Sequence, residues 1–452
     1  MGIYNYFRQK AKRLFDNIKS ERVKNNLLTA IPFWVGSVIV GCVAVFYAQL
    51  FLLGENLLIK MIHGRLWLLF IIMPFAFVSA WWLLKRFSPY SRGSGIPQVM
   101  AAIEFANPKD YDKVKRLLSV KVIIYKVISS FILVLGGGAI GREGPTIQIS
   151  GSIFNRIYEI LPAWWPRISR KSMIVTGAAA GLSAAFNTPL GGVVFAVEEL
   201  TKIHFNHFKT AVFTAVIIAG LTAQQLAGTY LYLGFPKTTA VSYTALAAIV
   251  LLGLLAGVAA SYLSKIILLL QRWRNSFNAT WKHLLFLVIS AWIIATLAFF
   301  VSEHVLGSGK ELMEQYLFTS QKHARWYDPV LRMVGPALSF ASGGAGGIFA
   351  PALSGGASIG SMFAGWFGFS PTETNVMILA GMVAFLTGIT RAPFTSAILV
   401  LEMTDRHSLI LHLMLAAIVA NIAARIINRH SFYDYLKHDY MAELSGHKTL
   451  GK

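Results

Sequence analysis

Long apolar runs separated by short polar connections fill the chain from about Leu27 to Arg425. Uncharged stretches at Ile31 to Leu53, Leu66 to Leu84, Thr210 to Pro236, Tyr243 to Ser264 and Leu284 to Ser302 are each long enough, as helices, to cross about 30 Å of hydrocarbon. Other apolar runs are broken by glycine or proline and need not cross fully. Backbone groups in lipid find no water, so a chain of this pattern satisfies them within helices. The prediction is an all-α polytopic membrane protein, with many helices tilted or only partly spanning.

Ahead of the first run, residues 1–28 mix Arg8, Lys10, Lys12, Arg13, Lys19, Arg22 and Lys24 with Tyr4, Phe7, Leu14, Phe15 and Ile18. The apolar positions recur at spacings near three and four, which predicts an amphipathic helix on the inner membrane face. The basic residues place this end in the cytoplasm by the positive-inside bias. A secretory signal would bring its apolar run closer to the start. One transmembrane domain is expected over 29–438, followed by a short cytoplasmic tail at 439–452, with no soluble regulatory module.

Composition agrees: 55% of residues are hydrophobic and 13% charged, and mean hydropathy is +0.58. So little polar surface cannot clothe a water-soluble globule of 452 residues. The net charge of +21 sits largely in flanks and loops, where membrane orientation accounts for it. No groove-reading or base-stacking motif accompanies it, so nucleic acid is not an expected partner. Positive charge would also concentrate an anionic substrate near the surface. Cys42 is the only cysteine, which excludes an intrachain disulfide and a thiolate metal cluster. No cofactor is expected.

Within the apolar domain the sequence repeats, dividing it into halves of about 29–236 and 240–438. Gly93-Ser94-Gly95 recurs as Gly307-Ser308-Gly309, 214 positions later. Gly141-Arg142-Glu143-Gly144-Pro145 and Ser150-Gly151-Ser152-Ile153 are echoed by Gly347-Ile348-Phe349-Ala350-Pro351 and Gly356-Ala357-Ser358-Ile359, 206 later. Thr188-Pro189-Leu190-Gly191-Gly192 through Glu198 is echoed by Ala392-Pro393 through Glu402, 204 later. Three matches in one order at nearly constant spacing indicate a duplicated transporter, whose substrate sits near the midplane where interrupted helices meet.

The repeated blocks have the composition of helix starts. Glycines in Gly93-Ser94-Gly95-Ile96-Pro97, Gly141 to Pro145 and Gly346 to Pro351 let the backbone bend and approach an ion, and each proline falls near a first turn. A small anion leaving water needs compensation, yet a full positive charge would hold it too tightly for release. Helix N-termini supply partial charge, equivalent to about half an elementary charge, through unpaired N–H groups. The alternative for any one block is tight helix packing.

Glu143 is a carboxylate in a Gly-rich, largely apolar setting and needs a partner to stay ionised. Donors at its own helix start could hold its carboxylate where an anion would sit, and protonation would release it. A standing ion pair with Arg142 is the structural alternative, weakened because adjacent residues on a helix point apart. Glu198 and Glu199 end the uncharged stretch from Gly177 to Val197. One of them could relay protons and the other mark the interface; spacing does not choose between them. An intramembrane enzyme is disfavoured. Gly181-Leu182-Ser183-Ala184 is ordinary helix-packing sequence, no His-Glu-x-x-His pair occurs, and His412 reads as a packing residue.

Gly93-Ser94-Gly95-Ile96-Pro97, Gly141-Arg142-Glu143-Gly144-Pro145 and Gly347-Ile348-Phe349-Ala350-Pro351 together resemble the three signature motifs of the CLC family of chloride channels and chloride/proton antiporters. The resemblance runs from about Ile31 to Tyr435. It implies a homodimer of subunits of about eighteen helices, each an inverted repeat with its own anion path, in the inner (plasma) membrane with both termini cytoplasmic. It also implies that the Ser94 hydroxyl, the Ile348 and Phe349 amides and the Tyr433 hydroxyl bind the central anion, Tyr433 fitting better than Tyr435. Glu143 would be the gate and Glu199 the inner proton-transfer acid. The resemblance also makes position 94 matter for selectivity, since nitrate-preferring relatives carry proline there and fluoride exporters a different residue, while the preference among chloride, bromide and nitrate stays open. An inner proton acid favours exchange over a passive channel, and a cation transporter would be expected to carry several acids within its spans. The short tail, without paired nucleotide-binding domains, resembles the bacterial members.

Overall fold

A computed structural model describes residues 20–201, 209–228, 231–238 and 242–446. Among the described residues the regular structure is helical, with no β-strand. Most of the expected amphipathic helix at 1–28 lies outside them. Residues 21–28 belong to the first turns of helix α1 (Glu21–Ile62), capped where the Ser20 hydroxyl accepts from Val23 N at 3.5 Å. At 42 residues α1 is about 63 Å long, twice the hydrocarbon thickness, so it tilts or projects.

The first half continues with α2 (Leu69–Phe87), α3 (Ile96–Glu104), α4 (Tyr111–Leu117), α5 (Val120–Leu135), α6 (Glu143–Ile160), α7 (Arg170–Phe186), α8 (Pro189–Phe195) and α9 (Lys209–Ala227). The second half holds α10 (Tyr243–Asn275), α11 (Thr280–Phe300), α12 (Lys310–Phe318), α13 (Asp328–Ala341), α14 (Phe349–Trp366), α15 (Pro371–Thr390), α16 (Pro393–Thr404), α17 (Ile410–Ile427) and α18 (Phe432–Ser445). Among the described residues, eight helical segments are long and apolar enough to cross a membrane. Side chains such as Ile71, Phe75, Leu411 and Ile426 are exposed on their outer faces, as lipid-facing residues are.

Two expected boundaries shift. The run from Thr210 to Pro236 is not one span: α9 ends at Ala227, Gly228 takes φ +87°, and residues 231–238 are not helical. The polar tail expected from 439 begins inside α18, which continues to Ser445 because Tyr433, Leu436 and Tyr440 form its buried face.

The duplication is visible in the backbone. Helices α3 and α12 have 9 residues each and start after left-handed glycines, Gly95 at φ +104° and Gly309 at φ +83°. Helices α6 and α14 have 18 each. Asn187 and Arg391, 204 positions apart, are both left-handed C-caps, at φ +56° and +63°. The halves meet at equivalent residues: Gly141 and Gly347 each donate an amide to the other's carbonyl at 2.7 Å, as an antiparallel bridge. The exchange of identical bonds between matched positions is the mark of a pseudo-twofold axis. The fold is an inverted repeat.

Candidate functional site: an ion path where four helices begin

The three glycine-rich loops are fastened to one another by backbone bonds. Gly93 donates to the Gly344 carbonyl at 2.8 Å and accepts from Gly346 at 3.1 Å, while Gly141 and Gly347 bond reciprocally. Helices α3, α6 and α14 therefore begin beside each other, each with first-turn amides that have no partner inside the helix. Helix α18 brings a fourth start, since the Tyr433 ring stacks on Phe349 with centroids 6.2 Å apart and planes at 14°.

The expected anion ligands come together here. Ser94, Ile348 and Phe349 are each 1% exposed and Tyr433 is 0% exposed. The Ser94 and Tyr433 hydroxyls lie side by side, yet each is buried without a hydrogen bond of ordinary geometry. An orphaned buried hydroxyl carries an unfavourable desolvation cost of about 1–3 kcal/mol, so two together describe a place built for an acceptor to enter. An entering group that only accepts hydrogen bonds, as a halide does, would match this set of donors. Tyr435, the neighbour not chosen, is instead edge-on to the His430 ring.

Gly144 makes the convergence possible. A methyl group there would collide with Ser94 Oγ, so the glycine is what lets the α6 start approach the serine. Gly141 serves Glu143 in the same way, because a Cβ would strike the Glu143 carboxylate.

Glu143, the first residue of α6, is 1% exposed. Its carboxyl faces its own amide and that of Ala350, with Oε2 lacking a bond of ordinary geometry. Alongside Arg142, it lines a cavity of about 350 Å³ that also touches Glu55, Tyr232, Ser308 and Lys310. Ser94 lines a different, much smaller cavity of about 50 Å³, with Arg92, Gly93, Arg274, Asp439 and Tyr440. Ser94 thus borders the smaller space and Glu143 the larger.

The two adjacent acids separate by environment. Glu198 is partly exposed and accepts from Phe394 N at 3.2 Å and from Thr395 N and Oγ1 at 2.7 Å, which makes it a cap on α16. Glu199, in a π-helical turn at Ala196–Thr201, is 4% exposed. Both Glu199 and Glu143 act electrostatically on the Tyr433 hydroxyl. The supporting residues Gly95, Ile96, Pro97, Pro145 and Pro351 all fall at the starts of α3, α6 and α14.

Two residues near the path escape a reading by motif. Lys126 is fully buried in α5, donating to the Gly93 carbonyl at 2.9 Å and to Gln148 Oε1 at 2.7 Å, so it anchors the Ser94 loop from behind. Glu55 lies in α1, where its Oε1 accepts from Ser308 Oγ at 2.9 Å and Ser308 N at 3.3 Å. The signal in both cases is one ionisable residue within or at the end of an apolar run, which marks function in a membrane helix by default. Among the described residues no cluster of His, Cys, Asp and Glu could hold a metal ion.

Known proteins resemble this chain over most of its length. The family described as "Voltage gated chloride channel" matches residues 75–425. The H(+)/Cl(-) exchange transporter ClcA of Cronobacter sakazakii is 31% identical over 386 residues, covering 81% of this chain and 79% of that protein. ClcA of Citrobacter koseri is 28% identical over 436 residues, covering 91% and 89%. Among solved structures, a slow cyanobacterial Cl-/H+ antiporter superposes with a TM-score of 0.79 at 24% identity, covering 92% of this chain and 98% of that one. A CLC-type fluoride/proton antiporter gives 0.76 at 21% identity, covering 93% and 99%.

Proposed function

The chain belongs to the CLC family of voltage gated chloride channels and their exchanger relatives, a family of ion transporters rather than enzymes, and from that premise we propose that it is a secondary active antiporter exchanging chloride for protons. The observation that carries this reading is the pair of buried acids, Glu143 and Glu199, that bear on one tyrosine hydroxyl from different elements. A passive chloride path needs at most a gate. A second buried acid beside the path supplies the station that proton exchange requires.

In this reading chloride is held by the Ser94 and Tyr433 hydroxyls and the Ile348 and Phe349 amides. The Glu143 carboxylate competes for an adjacent position near the amides of α6 and α14, and protonation frees it to leave. Each chloride passage is thereby tied to a proton on Glu143, and Glu199 carries protons between Glu143 and the opposite solution. The names of the ClcA relatives support the exchange of these two ions. The protein works as a homodimer in the inner membrane, with one path per subunit and cytoplasmic termini.

Purified protein in liposomes tests the assignment. An imposed chloride gradient is expected to drive protons uphill. Chloride flux that persists with no proton movement would overturn exchange and leave a channel of the same fold.

A further inference from the structure

The duplicated loops carry matched serines that do different things. In the first half, the Ser94 hydroxyl is left without a partner at the buried path. In the second half Ser308, 214 positions on in the same Gly-Ser-Gly setting, is engaged. Its hydroxyl and amide both donate to one carboxylate oxygen of Glu55, from the other half of the chain. Glu55 is thereby held at the wall of the 350 Å³ cavity that Glu143 also lines, and these two are the acids of its lining. Lys310 and Gln224, both partly exposed, line the same cavity, so water reaches it.

We propose that Glu55 is the proton-loading residue for Glu143 on the cavity side of the membrane. A proton from cavity water binds the Glu55 carboxylate. The resulting carboxylic acid donates it to the Glu143 carboxylate, across the cavity and through its water, which restores the Glu55 carboxylate and leaves Glu143 neutral and free to move. The charged and titratable groups facing Glu55 are Arg142 and Glu143 from the start of α6, Lys310 and Glu311 from the start of α12, Arg332 of α13 and the cavity-lining Tyr232. The three cations favour the carboxylate between transfers, and Glu143 and Glu311 favour proton arrival. The Ser308 bonds keep Glu55 at the wall, so it does not itself enter the anion path.

The proposal rests on Glu143 being the gate, and the test separates the two. Chloride-driven proton uptake and chloride flux are both measured in liposomes for the wild type, Glu55→Gln, Glu143→Gln and the double variant, across a range of pH set equally on both sides. Chloride flux is the readout in the Glu143→Gln background. Glutamine keeps an acceptor for Ser308, and detergent gel filtration verifies folding. Glu55→Gln is expected to slow coupled transport several-fold at neutral pH, with the deficit shrinking on acidification as protons reach Glu143 without a relay. In the Glu143→Gln background there is no gate left to load, so the slowing disappears. Slowing of equal size at every pH, slowing that persists in the Glu143→Gln background, or no slowing at all would each overturn the role of Glu55. Proton pumping by Glu143→Gln alone would instead overturn the gate, whatever Glu55 does.

Discussion

Glu198 and Glu402, matched residues 204 positions apart, cap each other's halves: Glu198 accepts from the amides of Phe394 and Thr395, and Glu402 from those of Leu190 and Gly191 at 3.0 and 2.6 Å. Each amide donor on one side is the repeat counterpart of an amide donor on the other, and Thr395 Oγ1 adds a bond to Glu198 that its counterpart Gly191 cannot make. Each carboxylate sits at the positive end of a short helix from the opposite half, which satisfies amides the helix cannot. The bonds are interlocked, so they join the halves as well as stabilise each helix.

The first prediction concerns this exchange. Glu198→Gln and Glu402→Gln each replace a two-armed acceptor by an amide whose NH2 confronts an N–H donor. A loss of about 1–3 kcal/mol is expected for each, the range for disrupting a charge-assisted bond at a partly buried site. Thermal unfolding in detergent measures it. Unchanged stability in both variants would mean the caps do not hold the halves.

Much of this was legible in the sequence, because the duplication kept glycine, proline and acid at matched positions. The glycines of the repeated blocks announce helix starts, and the structure adds what each does there: Gly95 and Gly309 take left-handed backbone, and Gly144 leaves room for Ser94. The roles of Glu198 and Glu199 were not separable by spacing. Adjacent residues share composition and depth, and what divides them is the π-helical turn, which points one toward α16 and buries the other. Lys126 and Glu55 escaped for another reason. Their partners, Gly93, Gln148 and Ser308, are brought near by tertiary packing and bear no fixed sequence spacing to them.

Gly144→Ala should weaken anion binding without unfolding the protein. The added methyl meets Ser94 Oγ, so the serine must rotate away from Tyr433 or α6 must withdraw from α3. Either displacement removes a hydroxyl donor from the anion, and a neutral hydrogen bond of this kind contributes about 0.5–1.5 kcal/mol, or roughly a threefold to tenfold loss of affinity. Calorimetric titration of chloride into detergent-purified protein reads it directly. Wild-type affinity in the alanine variant would place the anion elsewhere.

The adjacent acids give a paired test of proton transfer. Glu199→Gln is expected to abolish proton movement while chloride still crosses, because a neutral amide does not titrate and so cannot take up a proton and release it again. Glu198→Gln should retain coupling and lose only the stability argued above, since its carboxylate is occupied by α16. Proton and chloride fluxes measured together in liposomes decide it. If Glu198→Gln uncouples and Glu199→Gln does not, the assignment within the pair is reversed.

The pH dependence of transport follows from Glu143. The Glu143 carboxyl faces the amides at the starts of α6 and α14, and in the proposed reading it excludes chloride from that position when ionised and loses the charge that holds it there when protonated. Acidification therefore raises the fraction of open gates, and wild-type chloride flux is expected to increase as pH falls. Glu143→Gln imitates the protonated side chain at every pH, so its chloride flux should be sustained, decoupled from protons and nearly flat across the same range. Flux assays at matched chloride gradients over several pH values check both parts. A wild-type flux that falls on acidification, or a glutamine variant that keeps the wild-type slope, would place the titrating group elsewhere than the start of α6.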